Sequence, residues 1–109
     1  MSSVYQQIEG AGAVAITTVY TAFTDGTATR AEFCFINFCN TTAADITVDM
    51  VFQRTDATQR FILDDATVPA KGVLQWSGLV VFDAALELLR LQFSATGVDF
   101  VGAVLEQIP

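Results

Sequence analysis

Residues 30–39, RAEFCFINFC, carry apolar side chains on both sides of a predicted β-strand. Successive residues of a strand point to opposite faces, so a strand with one solvated face alternates between apolar and polar positions. Here Ile36 and Phe38 occupy even positions, whereas Phe33 and Phe35 occupy odd ones. A chain of 109 residues is too short for a layered α/β architecture, so burial of both faces requires a covering loop or a neighbouring subunit. The pattern predicts a protein that completes its burial by assembly.

The composition indicates one domain whose surface has little charge. A length of 109 residues is typical of a single domain. Hydrophobic residues make up 52% of the chain and charged residues 16%, against about 25% charged in an average soluble protein. The 12 acidic residues outnumber the 5 basic ones, which are scattered singly along the sequence. Because binding of nucleic acid needs clustered Lys and Arg, we expect no direct nucleic-acid partner.

Strand-like segments separated by turn residues recur along the whole sequence. The clearest is residues 45–54, where Ile46, Val48 and Met50 share one face. Short strands at regular spacing are typical of a β-sandwich or small barrel. We therefore predict an all-β fold, a single-domain antiparallel β-sandwich of jelly-roll or immunoglobulin-like type with about eight short strands. The domain spans residues 1–109, with residues 1–12 as an extended N-terminal arm.

The C-terminal third contains two assignments that depend on context. Residues 83–93, DAALELLRLQF, fit a strand, although Asp83 could also cap a helix. Their position between strands favours a strand. Residues 86–94 and 98–107 flank Ala95-Thr96-Gly97, and this arrangement predicts a hairpin. Residues 98–105 again carry apolar side chains on both faces, with a shift of parity.

The sequence contains no motif that is typical of an enzyme active site. The chain has no histidine, which removes the commonest general base near neutral pH and most zinc sites. Asp64-Asp65 lacks the spaced acidic pattern of a calcium loop and is interpreted as a solvated turn. Gly10-Ala11-Gly12 lacks the third glycine and the lysine of a phosphate-binding loop. We expect no enzymatic activity, no catalytic residues, no cofactor and no metal site.

The cysteines and the N-terminal sequence indicate the compartment in which the protein is made. In an extended strand, Cys34 and Cys39 would lie about 16 Å apart on opposite faces, too far for a disulfide, which needs Cα atoms within about 7 Å. Two free buried thiols indicate synthesis in a reducing cytoplasm. The sequence MSSVYQQIEG has no basic region, and residues 11–23 are interrupted by threonines. We therefore expect neither a signal peptide nor a membrane span, and no membrane partner.

A series of short blocks from about residue 31 onward carries a resemblance to a known type of protein. In chain order the blocks are Phe38-Cys39-Asn40-Thr41-Thr42, residues 46–52, Phe61-Ile62-Leu63-Asp64, Val68-Pro69-Ala70-Lys71-Gly72, Leu79-Val80-Val81, Leu91-Gln92-Phe93-Ser94-Ala95 and Leu105-Glu106-Gln107-Ile108. Their order resembles that of small β-sandwich virion structural proteins of tailed bacteriophages. At Asp83-Ala84-Ala85 the chain departs from the acidic-glycine turn expected in that type.

The resemblance implies a non-enzymatic component of the virion, present in many copies. The first expectation is a capsid decoration or cement protein that oligomerises, for example as a trimer, and clamps the major capsid protein. A tail, neck or fibre-associated module is the alternative within the class, with another virion protein as partner. Either role places the chain on the capsid or tail surface after synthesis in the host cytoplasm.

Aromatic residues are the best candidates for a contact surface, because large rings dominate interface energetics. The interface candidates are Phe33, Phe35, Phe38, Trp76 and Phe82. A hypothesis of a different class is a carbohydrate-binding sandwich that uses Trp76 or Tyr20 as a stacking ring.

Overall fold

A computed structural model of the chain describes residues 2–23 and 28–108. These residues form eight β-strands and no helix, so they contain no helix that could cross a membrane. The strands are β1 (Ser2–Ala11), β2 (Thr17–Thr21), β3 (Arg30–Asn40), β4 (Ile46–Gln53), β5 (Gln59–Val68), β6 (Val73–Phe82), β7 (Leu88–Phe93) and β8 (Val98–Ile108). Their count agrees with the sequence-based prediction.

The strands form two antiparallel sheets that pack face to face. The A sheet has the order β1-β8-β3-β6, and the B sheet has the order β2-β7-β4-β5. The chain changes sheet between every pair of consecutive strands except β4 and β5. Eight strands connected in this way are a jelly roll. The predicted all-β, single-domain antiparallel sandwich is confirmed, and the jelly-roll type is the one adopted.

The hairpin predicted around Ala95-Thr96-Gly97 is wrong. Strand β7 pairs with β2 and β4, whereas β8 pairs with β1 and β3 in the other sheet. The connecting turn instead binds the β3–β4 loop: the Thr41 amide donates to the Gly97 carbonyl over 2.9 Å. Gly97 has φ +118°. Local turn residues specify a reversal of the chain but not the sheet that the next strand joins.

Residues 83–93 contain a strand and a turn in place of the alternative helix. The strand β7 begins at Leu88, and the preceding turn closes around the buried carboxylate of Glu87. This carboxylate accepts from the amides of Asp83 and Ala84, over 3.0 and 3.2 Å, and from Arg54 Nη1 over 3.1 Å. A side chain thus satisfies the amides that a helical turn would leave open.

The N-terminal segment is extended, but it is docked and not a free arm. Strand β1 pairs with β8 over its whole length, from Ser2 opposite Ile108 to Ala11 opposite Asp99. It forms one edge of the A sheet, and β6 forms the other.

The core lies between the sheets and is rich in aromatic rings. Phe33 stacks on Trp76 with ring centroids 5.1 Å apart, and Phe82 meets Phe52 edge to face at 5.2 Å. Phe38 is also fully buried. Burying one such side chain contributes about 1.5–3 kcal/mol, so these rings hold the two sheets together.

A bulge in β3 corrects the expectation that residues 30–39 are buried on both faces. The register to β8 shifts between Phe33 and Phe35, and the parity of the strand changes there. Phe33 before the bulge and Ile36 and Phe38 after it all point inward and are fully buried. The large apolar residues at odd positions before the bulge and at even positions after it therefore point to the same, inner face.

The same bulge changes the placement of the cysteines. The burial pattern of β3 leaves Cys34, Phe35, Asn37 and Cys39 on the outer face. Cys34 is half-buried and Cys39 is exposed, and both are free thiols. They share one face, so the prediction of opposite faces is wrong because it assumed unbroken alternation.

Strand β8 explains why the bulge can form. Its inward residues alternate without interruption, and Gly102 lies opposite Ile36, the residue that follows the bulge. A Cβ at position 102 would lie 2.5 Å from the Phe35 carbonyl oxygen. Only glycine leaves room for so close an approach of backbone. The outward residues of β8 include Val101 and Leu105, so this strand is apolar on both faces with no shift of parity.

Candidate assembly surface

The outer face of the A sheet carries apolar side chains on all four strands, with polar ones between them, and we call it the apolar face. The register of the sheet and the alternation along each strand place the following side chains on it: Tyr5, Gln7 and Glu9 of β1, Asp99, Val101, Ala103 and Leu105 of β8, Glu32, Cys34, Phe35, Asn37 and Cys39 of β3, and Val73, Gln75, Ser77, Leu79 and Val81 of β6.

The exposure of these side chains distinguishes the apolar face from the rest of the surface. Among the described residues, nine large hydrophobic side chains are exposed, and five of them lie here. These five are Tyr5 at 72%, Leu79 at 61%, Val73 at 51%, Phe35 at 46% and Val101 at 41%. Single exposed apolar residues are ordinary, but a contiguous patch marks an interaction surface.

Three acidic residues share the apolar face and flank its central part. Glu9 stands opposite Val101, Asp99 stands opposite Cys39, and Glu32 lies between Leu105 and Val81, where it forms an ion pair with Arg30 over 3.1 Å. Strand β6 contains no charged residue and no proline, although it is an edge strand of ten residues. Edge strands are usually protected by charge, proline or a cover, so β6 is a poorly protected edge.

A hollow lies beside Phe35 between β3 and β6. Its volume is about 190 Å³, and its walls are Phe35, Ile36, Asn37, Gln75, Trp76 and Ser77. In the register of the sheet, Phe35 stands between two small residues, Ser77 on β6 and Ala103 on β8. The Phe35 ring therefore projects from the face, with open space next to it.

The five interface candidates occupy different parts of the fold. Phe33, Phe38 and Phe82 are fully buried between the sheets and cannot touch a partner of the folded chain. Trp76 is half-buried on the inner face of β6: it pairs with Ile36, and its ring stacks on Phe33. Phe35 alone among the five is exposed on the apolar face.

Sequence reasoning missed four exposed members of the apolar face. Tyr5, Val73, Leu79 and Val101 were not among the candidates, although they are among its most exposed side chains. The signal that could have found two of them is the lack of charge in VLQWSGLVVF, residues 73–82. That signal indicates an edge strand with an unprotected outer face.

A polar cleft lies at one edge of the sandwich, between the edge strands β1 and β2. It has a volume of about 410 Å³. At its base, buried Glu106 accepts from the Tyr20 hydroxyl over 2.5 Å and from Gln6 Nε2 over 3.2 Å. Tyr20 is 9% exposed and packs edge to face on Phe82. It offers no exposed ring for a sugar, so the carbohydrate hypothesis depends on half-buried Trp76.

Three acidic residues converge on the B sheet. One carboxylate oxygen each of Asp49, Asp64 and Asp65 lies within 4.8 Å of the others. Asp64 and Asp65 lie within β5 and not in the predicted turn. The Asp65 amide donates to Asp49 Oδ1 over 2.7 Å, and Asp65 has φ +50°. One oxygen is thus used by the backbone, and the two exposed carboxylates are solvated.

Comparisons with known proteins find likenesses of structure and none of sequence family. The sequence matches no protein-family model and no curated protein. A chain of infectious bursal disease virus, Gx strain, is similar in structure, with a TM-score of 0.54 and 11% identity over 96% of this chain. A chain of the T13 particle of the same virus gives 0.52 and 7% over 95%. This chain spans about a third of each viral chain, 32% and 30%.

A bacterial filament subunit is similar over nearly its whole length. A chain of Bacillus endospore appendages, described as disulfide-linked pili, has a TM-score of 0.56 and 9% identity. The match covers 99% of this chain and 88% of that one. At these identities the likenesses establish the jelly-roll fold.

Proposed function

We propose that this chain is a non-enzymatic structural protein of a virion, and more specifically a capsid decoration or cement protein that oligomerises and stabilises the shell. The observation that carries the proposal is the apolar face, which is left uncovered in a chain of net charge −7. A surface of this kind is a binding surface or an aggregation hazard. In a protein present in many copies, an uncovered apolar face would cause aggregation, so a partner has to cover it.

The size of the apolar face supports a structural role. Four strands about 4.8 Å apart, each about ten residues long at about 3.3 Å per residue, give roughly 600 Å². If the whole area were apolar, its burial would contribute about 15 kcal/mol at about 25 cal/mol per Å². Association costs about 4–15 kcal/mol. A stable complex therefore requires coverage of most of the face, as in a permanent assembly.

The structural neighbours also support this role. A jelly roll occurs in chains of viral particles, and in the pilus chain a jelly roll of nearly this length is an assembling subunit. The bacteriophage resemblance of the sequence adds the specific expectation of a capsid decoration protein. Tail, neck and fibre modules use the same kind of surface and differ in location.

The test is the composition of purified particles. Virions from the source of this sequence would be separated into heads and tails on a density gradient, and this chain would be quantified by mass spectrometry against the major capsid protein. We expect it on heads in a fixed ratio, and we expect particles that lack it to release their genome at a lower temperature. Enrichment in the tail fraction would refute the decoration role, and absence from all particles would refute the virion role.

A further inference from the structure

We propose that the apolar face binds the same face of a second copy of this chain across a two-fold axis, with Phe35 of each copy seated in the hollow between β3 and β6 of the other. This dimer rests on the assembling role proposed above and names the partner that covers the face.

Shape is the first reason to choose a second copy. The Phe35 ring is 46% exposed, and the hollow beside it measures about 190 Å³. A cavity of about 150 Å³ can hold a benzene molecule, so the hollow has the volume for a phenyl ring, whose edge would meet the side chains of Asn37, Gln75 and Ser77. The Phe35 ring, which acts as a knob, and the hollow that would receive it lie side by side on the same surface. A two-fold axis between them inserts both rings at once, which is the self-complementary geometry of an isologous interface.

Charge is the second reason. The whole chain carries a net charge of −7, so copies repel one another over most of their surface. The central row of the apolar face, Ser77, Phe35, Ala103 and Gln7, has no charge. Nothing on this row would attract a basic or an acidic partner. It is the part of the surface on which two acidic chains can meet.

Area is the third reason. The face measures roughly 600 Å², and stable interfaces bury about 600–1,000 Å² on each partner. A second A sheet stacked at about 10 Å covers the whole face, because two sheets of equal size pack with their strands about 30° apart. In a three-fold arrangement each copy divides a flat face between two neighbours, which leaves part of it uncovered.

The test is sedimentation velocity of the full chain at about 1–100 μM, concentrations at or above the weak end of the affinities that standard-sized interfaces reach, with three variants. Phe35→Asp removes the knob and places a charge in the interface. Ser77→Arg fills the hollow, and its exposed position makes it compatible with folding. Phe61→Asp is the matched control, because Phe61 is 56% exposed on the B sheet, outside the proposed interface.

We expect dimers for the natural chain and for Phe61→Asp, and monomers for Ser77→Arg and Phe35→Asp. Trp76 faces the core, where its ring stacks on Phe33, so its fluorescence reports the fold and should be the same in all four proteins if the monomeric variants remain folded. The dimer is refuted by a monomer at 100 μM, by a trimer, or by a Ser77→Arg protein that still dimerises. Attachment to heads, measured separately, decides the virion role: a monomer that binds heads overturns only the dimer.

Discussion

Replacement of Gly102 by alanine tests the bulge that turns Phe35 outward. A Cβ at this position would lie 2.5 Å from the Phe35 carbonyl oxygen and 3.1 Å from Ile36 Cα. Ordinary contacts begin near 3.4 Å, so the β3 backbone would have to retreat by about 0.9 Å. Overpacking costs about 1–3 kcal/mol. We expect the upper end of this range, because the obstacle is strand backbone and not the end of a side chain.

Gly10→Ala is the matched control for this substitution. Position 10 also lies on a strand of the A sheet, but the added Cβ would meet Phe100 Cζ at 3.1 Å, the tip of a ring that can shift. We expect a loss below about 1 kcal/mol. The free energy of unfolding would be measured by urea titration, with the single tryptophan, Trp76, as the fluorescent reporter.

A loss of about 3 kcal/mol lowers the melting temperature by roughly 12–20 °C in a domain of this size. The slope of the urea transition should remain unchanged, because the native fold persists. Equal losses in Gly102→Ala and Gly10→Ala would refute the reasoning. They would mean that the β3 backbone moves freely at the bulge and that Gly102 does not hold it open.

Further predictions concern single groups on the surface. The backbone amide of Thr58 donates to the Asp56 carboxylate and, together with the Thr58 hydroxyl, lowers the pKa of Asp56 below its ordinary 3.8. The stability due to this group should be complete above its ordinary pKa and disappear as the pH falls through the folded value; a folded-state NMR titration midpoint at or above 3.8 would contradict this. Exposed Cys39 should react with a thiol reagent before half-buried Cys34, and mass spectrometry of partly labelled protein identifies the site. If the dimer forms, labelling of Cys39 should accelerate in Ser77→Arg, and equal rates in both proteins would count against its burial.

The fold class was predictable because it depends on local signals. Alternation in residues 45–54 and turn residues at regular spacing indicate an antiparallel sandwich without knowledge of partners. The β7–β8 connection was not predictable in this way. Ala95-Thr96-Gly97 reverses the chain in either sheet, and its actual partner, the loop at Thr41, is 56 residues away in sequence.

The candidate surface was predictable only in part, because a bulge is a tertiary feature. Without it, Phe33 and Phe35 share a face, and both were candidates for the interface. The bulge places Phe33 in the core and Phe35 in solvent. What permits it is Gly102, on another strand, where a side chain would collide with the Phe35 carbonyl. No pattern within residues 30–39 contains that information.

The outer face of the B sheet carries more charged and polar side chains than the apolar face, although Phe61 is exposed on it, and this asymmetry yields one last prediction. Asp49 pairs with Gln92 across β4 and β7, and Arg90 donates to Gln53 over 3.1 Å. In a face-to-face dimer only these polar faces and the loops remain for contact with a shell. Attachment to heads should then weaken as salt rises from 0.05 to 0.5 M, since screening shortens the reach of surface charges from about 14 to about 4 Å. A monomer that docks through the apolar face would remain attached at high salt, because burial of apolar surface does not depend on screening. Salt-resistant attachment by the natural chain would therefore place the shell, and not a second copy, on the apolar face.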